Sequence, residues 1–138
     1  MEERRWIDPL LLVATAGIGG LGVVAGALGA HPPDGFLQEA AQRDAWNSAS
    51  IFLLFHVLAV LSMGDLRNRS LPPFRLSALL FIIGILLFSG SIFILSAGGP
   101  RFLGPVTPLG GLFLIGGWVS FGIQLLRGKR VRPKDFVE

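Results

Sequence analysis

Apolar and polar positions along the chain separate into long blocks, without the short alternation that marks half-buried strands. Four stretches carry no Asp, Glu, Lys or Arg: Leu10–Gly29, Ala45–Met63, Leu76–Ala97 and Thr107–Leu126. Each matches the roughly 17–25 residues that a helix needs to cross about 30 Å of hydrocarbon. The pattern predicts an all-α membrane protein, an antiparallel four-transmembrane-helix bundle, in a single domain covering 1–138.

Small residues mark the faces on which such helices meet, because lipid supplies no hydrophobic drive for their association. In the first span Thr15, Gly19, Gly22, Gly26 and Gly29 share one helical face, which makes this span the expected centre of the packing. The second span offers Ala45, Ala49, His56 and Ala59, with Phe52 and Met63 completing the stripe. The third repeats Ser77, Gly84 and Ser91 at intervals of seven, and the fourth aligns Gly110, Gly117 and Ser120 with Phe113 and Gln124. Gly19, Gly22, Gly26, Gly117 and Ser89 are the residues expected to carry helix packing.

The longest connection, His31–Asp44, begins with Pro32-Pro33, which stop the first span. Asp34 can cap a new turn. Phe36, Leu37, Ala40 and Ala41 fall on one face opposite Gln38 and Arg43, so a short amphipathic helix is expected at the membrane interface. The third connection, from Ala97 through Pro105, reads as a tight irregular turn.

Charge then orients the bundle. Arg4 and Arg5 precede the first stretch, Arg67, Arg69 and Arg75 separate the second from the third, and Arg127, Lys129, Arg130, Arg132 and Lys134 follow the fourth. The other two connections carry only Arg43 and Arg101. Lys and Arg near span ends stay on the cytoplasmic side, so both termini are expected in the cytoplasm, with the tail 127–138 solvated there. The net charge of +3 and the high pI are thereby accounted for as topology signals that also suit anionic lipid headgroups; no nucleic-acid partner is expected. Cysteine is absent, which excludes disulfides and thiolate chemistry. Ala25-Gly26-Ala27 resembles a signal-peptidase site, but the apolar run before it exceeds the usual 7–15 residues of a signal core. The segment is read as a retained span.

Few residues could carry chemistry. His56 lies about 10 Å inside the second span at 1.5 Å per residue, and ionisable groups at that depth point into the protein. A neutral imidazole bonded to a neighbouring helix is one reading; ligand binding or proton movement is the other. Counting from the same membrane face puts Gly84, Trp118 and the Thr15–Gly19 turn at a similar level, so His56, Trp118, Gly84 and Gly19 are the candidate ligand-binding set. At the outer face His31, Thr107 and Arg101 form a second candidate group. The two histidines sit at opposite depths and cannot share a metal or haem iron within one chain, so no metal or cofactor is expected. Ser89-Gly90-Ser91 lacks a histidine at its depth and an acid to orient one; helix-packing hydrogen bonds are its expected role. No carboxylate lies within a span, which counts against an acid-based proton or sodium relay.

These residues also carry a resemblance. Gly26-Ala-Leu-Gly-Ala-His31 followed by a histidine in the second span resembles the GAFGAH…H pattern of the small DUF423 membrane proteins, whose animal relatives are the transmembrane protein 256 group. Gly84-Ile-Leu-Leu-Phe-Ser-Gly-Ser-Ile-Phe resembles that family's G-x-x-x-F-S-G-S-x-Y signature. Thr107-Pro-Leu-Gly-Gly, then Gly116-Gly117-Trp118, is similar to its T-P-x-G-G…G-W element. The chain departs from the pattern in having no tyrosine: Ile51, Phe55 and Phe93 stand near the usual places, and Leu28 replaces a common Phe. The resemblance implies a four-span bundle in a bacterial inner membrane or an organelle membrane. It places His31, His56, Ser89 and Thr107 at signature positions, and it implies no reaction.

Three functions fit these features. The first is a non-enzymatic accessory or assembly subunit that packs against another integral membrane protein, a second copy or lipid. The second is a hydrophobic-ligand site (quinone or lipid) or a small-solute pathway through the bundle. An intramembrane enzyme fits least, since no two catalytic groups converge by depth.

Overall fold

In the computed structural model, which describes residues 9–65 and 74–127, the four apolar blocks form four long helices. These are α1 (Pro9–Ala30), α2 (Ala40–Asp65), α3 (Arg75–Ser96) and α4 (Val106–Arg127), with a 3₁₀ turn at Arg101–Leu103 before α4. All four are long and apolar enough to span a membrane. Arg4, Arg5, Arg67, Arg69 and the tail beyond Arg127, on which the orientation argument rests, lie outside the described residues.

Consecutive helices run antiparallel, and the register is legible in their contacts. A Cβ added to Gly19 would meet Val57, and one added to Gly22 would meet Leu53 and Leu54, which pairs α1 with α2. Ser89 bonds Ala49 across α2 and α3. Gly84 faces Leu114, and Gly117 faces Phe81, across α3 and α4. The core runs through α2 and α3, where Val60, Met63, Phe81 and Ile85 are almost fully buried.

The first span is therefore not the packing centre. It packs extensively on α2 alone, while α2 and α3 occupy the middle and α4 flanks α3. The cause is the distribution of small residues around each helix. Only Thr15, Gly22 and Gly29 of α1 are buried, a seven-residue spacing that makes one narrow seam. α3 buries small residues toward two neighbours, Ser89 against α2 and Gly84 against α4. Gly26 also departs from its expected role: a Cβ there meets nothing within 4 Å. At 100° per residue it is rotated about 40° from Gly22, enough to leave the seam.

The separate interfacial helix is not formed among the described residues. Phe36 and Leu37 belong to an irregular turn closed by the Phe36 N–H to Pro33 carbonyl bond, and helix begins at Ala40 as the first turn of α2 itself. The Gln42 side chain accepts from the Glu39 N–H, the half of a capping box that satisfies an orphan donor at the helix start. Leu37 is buried with φ 50°, an unusual backbone state for a residue with a Cβ.

Candidate functional site

The deepest polar contact between helices joins His56 of α2 to Trp118 of α4. The His56 Nδ1–H donates to the Phe52 carbonyl at 2.7 Å, the i−4 position of its own helix. Trp118 donates its indole N–H to His56 Nε2 at 3.1 Å. Indole can only donate, so Nε2 is the acceptor and the ring is the neutral Nδ1–H tautomer. Both nitrogens are satisfied. Phe81 and Phe55 enclose the imidazole at centroid distances of 5.3 and 5.4 Å.

The pair sits at one end of a groove of about 470 Å³ between α2 and α4, floored by Phe88 of α3 and lined also by Ile51, Phe52, Phe55, Gly111, Leu114 and Ile115. Its surface is almost wholly apolar. Gly111 keeps the floor open: a Cβ there would rest on the Phe88 ring at 3.8 Å. Such a slot can hold a hydrocarbon chain or a ring. It offers a reacting group no acid, and among the described residues no three His, Cys, Asp or Glu side chains converge for a metal.

The structure thus unites two of the four candidate ligand residues and separates the others. Gly84 meets Leu114 at the α3–α4 seam, beside the groove and outside its lining. Gly19 lies level with His56 but on the α1–α2 seam, against Val57. All four stand near one level of the bundle; the direction around α2 decides who meets whom.

The outer candidates divide in the same way. Thr107 and Ser91 share a hydrogen bond of 2.7 Å that ties α4 to α3, and Ser89 donates to the Ala49 carbonyl at 2.9 Å, tying α3 to α2. His31 and Arg101 are exposed, and neither joins that pair. Among the described residues His31 is tied through its backbone N–H to the Ala27 carbonyl. Gly110 of the Thr107-Pro-Leu-Gly-Gly run packs directly against the backbone of Phe88. The Ser-Gly-Ser, Thr-Pro and Gly-Trp elements are therefore the contacts that lock α2, α3 and α4 together.

The polar contacts of two side chains were not anticipated. Trp46 donates its indole N–H to the Ala25 carbonyl of α1 at 2.6 Å; a tryptophan near a span end is the ordinary signal for such an anchor. Gln124 donates to Ser77 at 3.0 Å and Ser120 at 2.7 Å, and among the described residues its buried Oε1 has no partner. Ser96 is buried beneath the connection that precedes α2.

Four spanning helices joined by short connections and locked by interhelical hydrogen bonds define a small integral membrane protein of four-helix type. The family model described as "Protein of unknown function (DUF423)" matches residues 25–111, and the chain belongs to that family. It is 33% identical over 121 residues to a UPF0382 membrane protein of Haemophilus influenzae, covering 87% of this chain and 94% of that one. A UPF0382 membrane protein of Staphylococcus haemolyticus is 32% identical over 107 residues, 78% of this chain and 87% of its own. One from Schizosaccharomyces pombe is 36% identical over 107 residues, 72% of this chain and 87% of its own. No solved structure matches the chain.

Proposed function

We propose that this protein is a non-enzymatic accessory or assembly subunit, acting through the membrane-facing side of α1. The observation that carries the reading is a second set of small residues on that helix. Gly17 and Gly20 are exposed, and a Cβ on either would meet nothing within 4 Å. Ala16 and Ala27 are exposed on the same side. Glycine facing lipid weakens a helix without improving its packing, whereas glycine facing another helix permits close backbone approach. The occupant is a transmembrane helix of another integral membrane protein or of a second copy. The setting is a bacterial inner membrane with both termini cytoplasmic, as the basic segments suggest.

Native mass spectrometry after gentle extraction tests this. Wild-type protein should release with a reproducible partner or as a homo-oligomer, and Gly17→Leu with Gly20→Leu should abolish that association while leaving the monomer folded. A wild-type protein that is always monomeric, or an association indifferent to both changes, refutes it.

A second reading is favoured by the groove between α2 and α4. Its volume and apolar lining suit a quinone ring or an acyl chain, with the His56–Trp118 pair at one end. A defined small molecule that survives extraction and is lost on Gly111→Leu would support this reading in place of the first.

A further inference from the structure

Several buried hydroxyls of this bundle are tied to its own backbone. Thr15 and Ser50 donate to the carbonyl four residues earlier in their helices, and Ser89 donates to the Ala49 carbonyl. The His56–Trp118 bond is of another kind. His56 is 4% exposed, so its Nε2 acceptor is sunk among apolar side chains, yet the indole that satisfies it belongs to a residue 40% exposed at the groove edge. The indole has space to swing outward: a Cβ on Gly122, one turn further along that face of α4, would meet nothing within 4 Å. Among the described residues His56 and Trp118 are the only polar side chains that line the groove, and an ionisable side chain inside a span is by default a functional position.

The pair sets a condition on what can enter between its two rings. The indole N–H needs an acceptor, and the neutral imidazole Nε2 needs a donor. A carbonyl, ester or ether oxygen that took the indole N–H would leave Nε2 unpaired in hydrocarbon, at the cost of a buried orphan acceptor. A hydroxyl satisfies both, since its oxygen accepts and its hydrogen donates. The remaining walls favour a ring behind that hydroxyl: Phe52, Phe55 and Phe88 line the groove, and Gly111 leaves the Phe88 face open.

We propose that the groove binds a lipid-soluble phenol, the class that includes hydroquinones, with its hydroxyl inserted between Trp118 and His56. The hydroxyl oxygen accepts from the indole N–H, its hydrogen is donated to Nε2, and one bond is exchanged for two. The ring lies against Phe88 and the hydrocarbon tail leaves through the side open to lipid, past Ile51 and Phe55, which are 66% and 58% exposed. A quinone carbonyl accepts without donating, so the same geometry selects the reduced ring over the oxidised one. Sites built to bond a hydroxyl reject analogues that lack it. This inference rests on the reading of the groove as a small-molecule site and adds the chemistry of its occupant.

The test is equilibrium binding of tritiated para-nonylphenol to the full-length protein in detergent, displaced by unlabelled para-nonylphenol or by its methyl ether. The ether keeps the ring, the tail and the oxygen and loses only the donated hydrogen. Partition into micelles is the same whichever protein is present, so the ratio of phenol to ether affinity is compared between proteins. The wild-type ratio should exceed that of His56→Phe by about five- to tenfold, the scale of one net hydrogen bond. In Trp118→Phe the acceptor is free, and the ratio should be at least as large as in the wild type. A role in packing alone predicts no such opposition between the two variants. Equal ratios in the wild type and His56→Phe, or a ratio that falls in Trp118→Phe, overturn the proposal; if binding is still lost on Gly111→Leu, the groove reading survives that result. Absence of saturable binding, or binding indifferent to Gly111→Leu, overturns both.

Discussion

Replacing Gly110 by alanine places a methyl group against the backbone of α3, where no side chain can move aside. The added Cβ would lie 2.7 Å from Phe88 Cα and 2.8 Å from the Leu87 carbonyl carbon, with the Phe88 nitrogen closer still. Ordinary contact begins at 3.4 Å, so the two helices must separate by at least the difference, 0.7 Å at Phe88 Cα. A radial gap of that size forfeits a quarter to a half of each dispersion contact along the seam. It also stretches the Ser91–Thr107 bond, which lies one turn away at 2.7 Å and contributes about 1 kcal/mol. Overpacking in a close-packed interior costs about 1–3 kcal/mol, and the gain in helix propensity from Gly to Ala returns at most about 1 kcal/mol. The net expectation is a loss of about 2 kcal/mol, equivalent to roughly 7 °C in unfolding temperature for a chain of this size. Gly26→Ala is the matched control, since a Cβ there meets nothing within 4 Å and only the propensity changes. Thermal unfolding of both variants in the same detergent, followed by tryptophan fluorescence, measures the difference. A Gly110→Ala protein that melts with or above Gly26→Ala refutes the close approach of α3 and α4.

Three further outcomes are expected. Trp118→Phe leaves the His56 Nε2 acceptor unpaired and should destabilise the protein by about 1–2 kcal/mol. In a double-mutant cycle with His56→Phe most of that cost should disappear; a coupling energy near zero would mean that the pair is not bonded. Gly22→Leu should loosen α1 from α2, because its neighbours there are Leu53 and Leu54, whereas Gly26→Leu should keep the wild-type melting temperature. Equal effects of the two changes would contradict the assigned seam. As the chain has no cysteine, single introduced cysteines report topology: Gln38→Cys should react with a membrane-impermeant maleimide in intact cells, and Lys129→Cys only after permeabilisation. The opposite pattern would invert the orientation.

The extent of the spans and the relative level of groups along the bundle were largely legible in the sequence. Hydropathy and helix rise set that coordinate, so the ends of α1, α3 and α4 fall within a residue of the apolar blocks, and His56, Trp118, Gly84 and Gly19 do lie near one level. The early start of α2 at Ala40 was not legible, because its first turn is polar and is stabilised by the Glu39–Gln42 cap and not by hydrocarbon. Rotation about each helix axis was also beyond the sequence. Small residues show which faces are able to pack, but α1 has them on more than one side and buries only the Thr15, Gly22 and Gly29 line, with Gly19 at its edge against Val57. Azimuth is decided by mutual fit: Trp118 finds the lone pair of His56, Ser89 finds the Ala49 carbonyl, and Gly110 admits the backbone of Phe88. In a bilayer these short-range contacts carry the discrimination between neighbours, since burial from water is the same for every apolar face. The sequence alone thus determined the class, the number of spans and the level at which His56, Trp118, Gly84 and Gly19 stand along the bundle. Only the tertiary structure decided that His56 meets Trp118 and not Gly19, and that Ser89 reaches the Ala49 carbonyl of α2.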